Sequence, residues 1–422
     1  MRPIRPSGAL SASVSRLYAA SLLCVLYLFL PYGGYTRMME GKFHCFLALS
    51  VGYLLSELCV LPKSRGTLAA EDACAVFFLL WSALSALFSP YGAAVLLGGP
   101  RRDGLATLAL YVLGYLVLSR TLRPDRSLLA LTAIASILGA ILTELQLLGH
   151  NPLRLYPDAL GYHDGDRAYA GFFAGPSGNA DFTAFLFALA LCVLMTACLR
   201  LRMPVLALAA AILFAVLLQL PVAAAFLGLT AALLWSPALL LPRRRRLLLP
   251  LSLLLSAAAL LLLWGYDGPS QTLREASQLL RGEADGSFGS GRLFIWRQLL
   301  PLIRERPLLG GGPGTLFLRE LAPFTWLSPD GPIPSDITAA HNEYLHILTE
   351  QGAPALASYV ALLGLSIVRC FRRAEDSVCA IAGTGLLCYA AMAAVSVSCC
   401  ITAPYVWLLL ALSRRGGEAD GL

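Results

Sequence analysis

Between Gly291 and Gly352 the chain runs from GRLFIWRQLLPLIRERPLLGGGPG to HNEYLHILTEQG, an arginine- and glycine-rich stretch that ends on a helix led by a histidine. Guanidinium forks grip phosphate oxygens in pairs and imidazole moves protons near neutral pH, so these residue types suit phosphate-ester chemistry. His341 stands at the mouth of the final motif beside Asn342 and Glu343. A neighbouring amide or carboxylate can set an imidazole's tautomer, although a histidine that only hydrogen-bonds at a helix start fits the same pattern. A metal pair with His346 is disfavoured, because residues five apart face different sides of a helix. The GGGPG turn at Gly310–Gly314 lacks the Lys-Ser/Thr of a nucleotide-binding loop, so ATP is not implied, and no GxSxG nucleophile motif is present.

Two upstream segments carry further polar groups. In LLGGPRRDGL, Arg101, Arg102 and Asp103 directly precede an apolar run, and Asp103 reads as a helix N-cap. In DRAYAGFFAGPSGNADF, Arg167 is followed by a glycine-rich turn and then by Asn179 and Asp181. Amides at such a helix start favour an anion, while a plain cap at Asn179 explains the same residues. Within the long segment, Leu293, Trp296, Leu300 and Ile303 are spaced for one helical face with Arg297 and Arg304 off it, as in a helix lying at a membrane interface.

What positions these groups is a membrane body. The 422 residues are 58% hydrophobic and 14% charged with mean hydropathy +0.70, which excludes an ordinary soluble domain. Apolar spans of about 20 residues match a hydrocarbon core of about 30 Å. Twelve are expected, near 17–35, 43–61, 70–89, 104–121, 127–148, 180–199, 203–220, 222–241, 247–265, 354–371, 378–397 and 399–413. The SVSCCITAP joint between the last two is short and apolar for a loop. The chain then divides into a body of nine spans (1–265), an exterior loop (266–352), and three spans with a short tail (353–422).

Orientation follows from the arginines, since cytoplasmic loops retain Lys and Arg. With the N-terminus inside, the cytoplasmic segments collect Arg2, Arg5, Arg16, Lys63, Arg65, Arg120, Arg123, Arg126, Arg200, Arg202, Arg243–Arg246, Arg369, Arg372, Arg373, Arg414 and Arg415. Both termini are then cytoplasmic, and the 90–103, 149–179 and 266–352 segments face the exterior of an inner membrane. The net charge of +7 records this topology and does not point to nucleic acid. MRPIRPSGALSASVSRL flanks a first span without a small-residue cleavage site, which reads as a retained signal anchor. All eleven cysteines lie in or beside apolar spans without CxxC spacing, so they read as packing residues.

Taken together, GR(x3)WR, RP(x2)GGGPGT and HNEYLHILTEQG before a span resemble the exterior-loop pattern of the O-antigen ligase and polysaccharide polymerase family. PRRDGL and the Arg167–Asn179 segment are similar to that family's other pieces, in the same order, and the resemblance covers most of residues 70–400. It implies an all-helical polytopic fold of the lipid-linked glycosyltransferase type. The implied activity is inverting, metal-independent transfer of a glycan from undecaprenyl pyrophosphate to a glycan or lipid acceptor on the outer membrane face, with no cofactor. Carried over residue by residue, it makes His341 the general base and Arg292 a pyrophosphate ligand, with Arg102 and Arg167 as further phosphate ligands. Arg297, Asn342, Glu343 and Asn179 would support them. The chain departs from the family at Val222 and Ala223, where many members carry Ser-Arg.

Two other classes compete. A multispan transporter would need ionisable groups or broken helices at mid-membrane, for which only Glu57 and Glu144 are candidates. A non-catalytic partner in envelope assembly is the reading that the Ala223 departure favours. Between polymerase and ligase the residues do not choose, because the two share a donor and differ in an acceptor pocket that no short motif encodes.

Overall fold

A computed structural model describes residues 6–60, 68–156, 173–220, 222–286, 288–328 and 331–415. Arg2, Arg5, Lys63, Arg65 and Arg167 lie outside the described residues. The chain is helical apart from one hairpin. Its first half runs α1 (Pro6–Tyr27), α2 (Met38–Val60), α3 (Ala70–Leu87), a short α4 (Ala94–Leu97), α5 (Leu105–Thr121), α6 (Arg126–Leu147) and α7 (Ala180–Leu201). The second half adds α8 (Val205–Leu217), α9 (Ala223–Trp235), a short α10 (Pro237–Leu240), α11 (Arg245–Trp264), α12 (Gln271–Arg281) and α13 (Phe288–Glu305). After these come β1 (Phe324–Ser328) and β2 (Gly331–Ser335), then α14 (Glu343–Gln351), α15 (Ala353–Arg372), α16 (Ser377–Met392) and α17 (Ala403–Arg415). The two strands pair antiparallel, with Phe324 opposite Ser335 and Ser328 opposite Gly331.

Each of the twelve expected spans falls on a helix, and among the described residues seven helices are long and apolar enough to cross a membrane. The first span is displaced toward the N-terminus: α1 already starts at Pro6 and ends at Tyr27, short of the expected 35. Proline suits a first helical turn, and the Pro31-Tyr32-Gly33-Gly34 run cannot continue a helix. The apolar runs become helices because in hydrocarbon only a helix or a closed barrel satisfies its own backbone. Polar side chains then mark where several begin. Asp125 accepts from the Leu128 amide at 3.2 Å, Asn179 from Phe182 at 3.1 Å and Asn342 from Leu345 at 3.0 Å. Each satisfies an amide that the helix itself leaves without a partner.

The core centres on α7, which packs against α6, α8, α9 and α16 and is buried on most sides. By contrast α11 touches only α9, α10 and α12 among its larger contacts and leaves leucines exposed along its length, as a lipid-facing helix does. Lys42 is fully buried in α2, yet its Nζ donates to the Leu26 carbonyl at 2.6 Å, so it caps the end of α1 where the helix dipole favours a cation.

Polar groups sort to the two ends of the bundle. At one end Glu71 takes both Nε and Nη2 of Arg369 at 2.5 and 2.7 Å, Asp72 takes Arg120 at 2.9 Å and Arg414 at 3.3 Å, and Asp125 takes Arg16 at 2.8 Å. Arg200 donates to the Leu240 and Glu375 carbonyls there, and Arg245 to that of Phe371. Residues 266–352 pack on the opposite end. The face of α13 turned inward carries Ile295 and Leu299, which share a small core with Leu316, Ile337 and Ala340, while Leu300 is 46% exposed. Trp296 and Ile303 of the expected face pack on the same core, so the helix is turned only far enough to bring Ile295 and Leu299 inward and leave Leu300 outside. Arg297 and Arg304 are exposed on its other side, as the spacing indicated.

Candidate functional site

At that opposite end, four stretches distant in sequence converge: the turn before α5, the start of α13, the 310–316 turn and the entry to α14. The glycine-rich turn is a joint. The amides of Gly311 and Gly312 donate to the Thr349 and Glu350 carbonyls at 3.1 and 2.7 Å, closing the end of α14 from outside. Gly314 has φ +65°, and a Cβ there would meet Gly98 Cα at 2.5 Å, so only glycine fits where this turn crosses the loop before α5. Ser85 and Ser89 of α3 and its following residues clamp the same turn through the Glu350 carbonyl at 3.1 Å and the Gly311 carbonyl at 2.6 Å.

The buried centre of the joint is charged. Glu350 accepts from the Gly314 amide at 2.7 Å and the Leu316 amide at 3.0 Å. His346 Nε2 lies 3.6 Å from Glu350 Oε2 and 3.4 Å from Asp103 Oδ2, and Arg101 Nε lies 3.6 Å from that same Asp103 oxygen. Asp103 therefore does not cap α5, whose N-cap is Gly104 without a side-chain bond. Its carboxylate is drawn instead toward two cations. Burial favours the neutral acid, but the hydrogen bond and charge of His346 and the charge of Arg101 hold Asp103 below its usual range. Burial alone would depress His346; the charges of Glu350 and Asp103 raise it to about 9. Burial pushes Glu350 and Glu343 up, against the pull of His346 and of backbone amides.

His341 stands one turn outside this centre. Its φ of +48° is left-handed, a conformation that costs a side-chain-bearing residue roughly 1–2 kcal/mol. Two contacts impose it. Trp296 donates to the Ala340 carbonyl at 2.8 Å, and Ala339 and Ala340 are buried. Immediately after, Asn342 caps α14, while the Glu343 amide donates to Ala393 at 2.8 Å and Ser396 at 2.9 Å. Burial and the charges of Arg292, Arg101 and His346 lower the His341 imidazole to about 3, which leaves it neutral and unprotonated near pH 7.

Arg292 donates from Nε to the Val395 carbonyl at 3.0 Å and from Nη1 to Gly289. The linker that holds it is the 393–402 segment, expected to be almost continuous span. Pairing with the site explains why it is not helix: Glu343 accepts from the Ser398 amide at 2.6 Å and its hydroxyl at 2.8 Å. Arg101 lies with its guanidinium 5.3 Å from the Phe182 ring, and its buried Nε and Nη2 have no hydrogen-bond partner. Unmatched buried donors of this kind suit an anion that the protein alone does not supply.

Of the residues singled out from sequence, the structure brings together His341, Arg292, Asn342 and Glu343. Arg102 shares its turn with Arg101 but stacks on Phe43 at 5.7 Å, with a strained φ of +55°. Arg297 donates only to the Ala284 carbonyl, at 3.4 Å. Asn179 is spent as the cap of α7, although Asp181 behind it is within electrostatic reach of Arg292. Arg101, Asp103, His346, Glu350 and Ser398 went unassigned, and only the acid-base character of PRRDG and HILTE hinted at the first four. Among the described residues no three His, Cys, Asp or Glu side chains are arranged to hold a metal ion. Ala223 opens α9 as an exposed residue. Glu57 bonds Ser11 at 2.6 Å at the far end, and Glu144 bonds Gln219 at 2.7 Å, so neither lies on a shared polar path.

A helical body with seven helices long and apolar enough to cross a membrane, and with one arginine- and histidine-lined end, defines a polytopic membrane protein. Residues 222–360 match the family model described as O-antigen ligase, and that segment supports a place for the chain beside the O-antigen ligases and polymerases. The match spans the segment from Val222, before α9, into α15 and so contains Arg292, His341, His346 and Glu350. No curated protein matches the chain.

Proposed function

We propose that the chain transfers a glycan from undecaprenyl pyrophosphate to an acceptor hydroxyl at the outer face of the inner membrane, with inversion and without a metal. The observation that carries this reading is a half-buried, neutral imidazole within electrostatic reach of two guanidiniums at one end of an apolar helix bundle. In this reading the twelve helices on the expected apolar spans cross the bilayer, the arginine-stapled end is cytoplasmic, and residues 266–352 are the exterior catalytic segment.

The chemistry follows from the charges. Donor pyrophosphate binds between Arg292 and Arg101, with Arg102 as an outer phosphate ligand and Arg167 a further ligand on the family resemblance alone. The acceptor oxygen attacks the anomeric carbon, its proton passes to His341, and the carbon–oxygen bond to phosphate breaks with the lipid pyrophosphate carrying away the electron pair. Attack opposite the leaving group inverts the centre. The charge growing on the pyrophosphate falls on guanidiniums already in place, which is where electrostatic stabilisation is largest. A base held at about 3 is weak in the free protein. Burial is the main cause of that depression, and phosphate charges between the two arginines offset the part that Arg292 and Arg101 add, so donor binding strengthens the base. Arg101 takes the role left open by Ala223, since Arg297 and Arg304 point outward.

Transfer in liposomes containing a lipid-pyrophosphate glycan pool, with chelator present, tests the reading. Wild type should form product and His341→Ala should not. Equal turnover by both would refute the assignment of the base, and product length separates polymerase from ligase.

A further inference from the structure

Beneath the site sits a histidine that touches no proposed reacting group. His346 Nε2 is 3.4 Å from Asp103 and 3.6 Å from Glu350, in side chains that are 8%, 13% and 2% exposed. Asp103 belongs to the turn that carries Arg101, and Glu350 grips the Gly314 and Leu316 amides of the glycine-rich turn. One imidazole thus joins the loop before α5, the 310–316 turn and α14, which would otherwise present two buried carboxylates to each other. A cavity of about 40 Å³ adjoins it, lined by Asp103, Glu343, His346, Glu350, Tyr111 and Tyr359. That is room for about two waters.

We infer that His346 is a positioning residue, the buried cation on which the Arg101 turn and the glycine-rich turn are both held, and through which Arg101 is kept beside His341. What the held groups accomplish rests on the transfer reading; the holding does not. Without the cation the two carboxylates repel, one must take up a proton, and the turns lose their common anchor. The groups facing His346 are Arg101 and Asp103 from the loop before α5, Glu343 and Glu350 from its own helix and His341 just before it. Tyr111 of α5, Tyr359 of α15 and Cys399 of the 393–402 linker complete the surroundings. Because His346 is raised from 6.5 to about 9, its contribution is complete below about pH 6.5 and lost as pH rises through about 9.

The test uses the full chain in nanodiscs as wild type, His346→Gln, Asp103→Asn and the double variant. Tryptic cleavage after Arg319, just beyond the glycine-rich turn, is followed from pH 7 to 10 against a denatured control. At pH 7 each single variant should be cleaved about ten-fold faster than wild type, and the double variant should lie nearer wild type than either, as coupled charges require. Wild type should approach the His346→Gln rate only above about pH 9, and the double variant should show no alkaline rise. If His346→Gln fails to fold, the double variant decides by that last criterion. Equal rates in wild type and His346→Gln, additive singles, or an alkaline rise kept by the double variant would each overturn the inference. Transfer is measured in parallel. Wild type that is inactive but shows the expected cleavage pattern refutes the function and leaves the positioning role standing. Active wild type without that pattern does the reverse.

Discussion

The two ends of the helix bundle use the same residue types to opposite effect. At the stapled end Glu71, Asp72 and Asp125 each meet a guanidinium at 3.3 Å or less, and Arg369 meets Glu71 with two nitrogens. At the other end the ionic contacts among Arg101, Asp103, His346 and Glu350 stretch from 3.4 to 3.6 Å, and Arg101 Nε and Nη2 and His346 Nδ1 have no hydrogen-bond partner. Closely paired charges neutralise one another and hold helices together. Charges balanced at longer range, with donors left over, keep a field that an anion entering from outside can use. Arg200 also leaves its Nε unmatched at the stapled end, but its other nitrogens are committed to carbonyls.

Substitutions can break that contrast. The largest effect is expected for His341→Ala, which should lower transfer about 10²- to 10⁴-fold, the range of a lost general base, with little change in thermal stability. Preserved turnover would show that the field serves binding alone. Next, Arg101→Gln should lose about 10²-fold in kcat/KM where Arg102→Gln loses less than about three-fold. The reverse order would mean that the orphaned donors are not what meets the substrate. Arg292→Lys should also be poor, because a point charge does not replace a bidentate fork.

On the stapled end, Arg369→Met should cost about 3 kcal/mol of stability by leaving Glu71 buried and unpaired, with transfer per folded molecule unchanged. A fall in specific activity would show that the two ends are coupled. The smallest effect concerns pH. His341 is depressed from 6.5 to about 3, so stability that its neutral form contributes is present above about 6.5 and is lost as pH falls toward 3. In kinetics, donor phosphates offset Arg292 and Arg101, so the acid limb of kcat should lie about one unit or more above that of kcat/KM. Coincident limbs would argue that the phosphates bind elsewhere.

Much of this was legible in the residues. His341 and Glu343 were singled out by type and spacing and Arg292 through the family resemblance, and each apolar run fell on a helix, the first displaced by about three turns at its start. The misses share a cause. Asp103 looked like a cap because the position before a helix usually is one, yet here His346 and Arg101 compete for its carboxylate and win. The GGGPG stretch read only as a turn, and nothing local shows that two of its amides close α14 while a third meets Glu350. SVSCCITAP looked too apolar to be a loop, because nothing local shows that Ser398 will satisfy a buried Glu343.

The sequence by itself determined the helical membrane body and the approximate places of its helices, because hydrocarbon demands apolar helices and polar residues are driven to their ends. Only the tertiary structure decided which arginine of the Arg101–Arg102 pair turns inward, that His346 sits between Asp103 and Glu350, and that His341 is held neutral. Those outcomes depend on contacts between residues up to about 250 positions apart, as from Asp103 to His346, and on burial that lets a few charges act on one another with little screening.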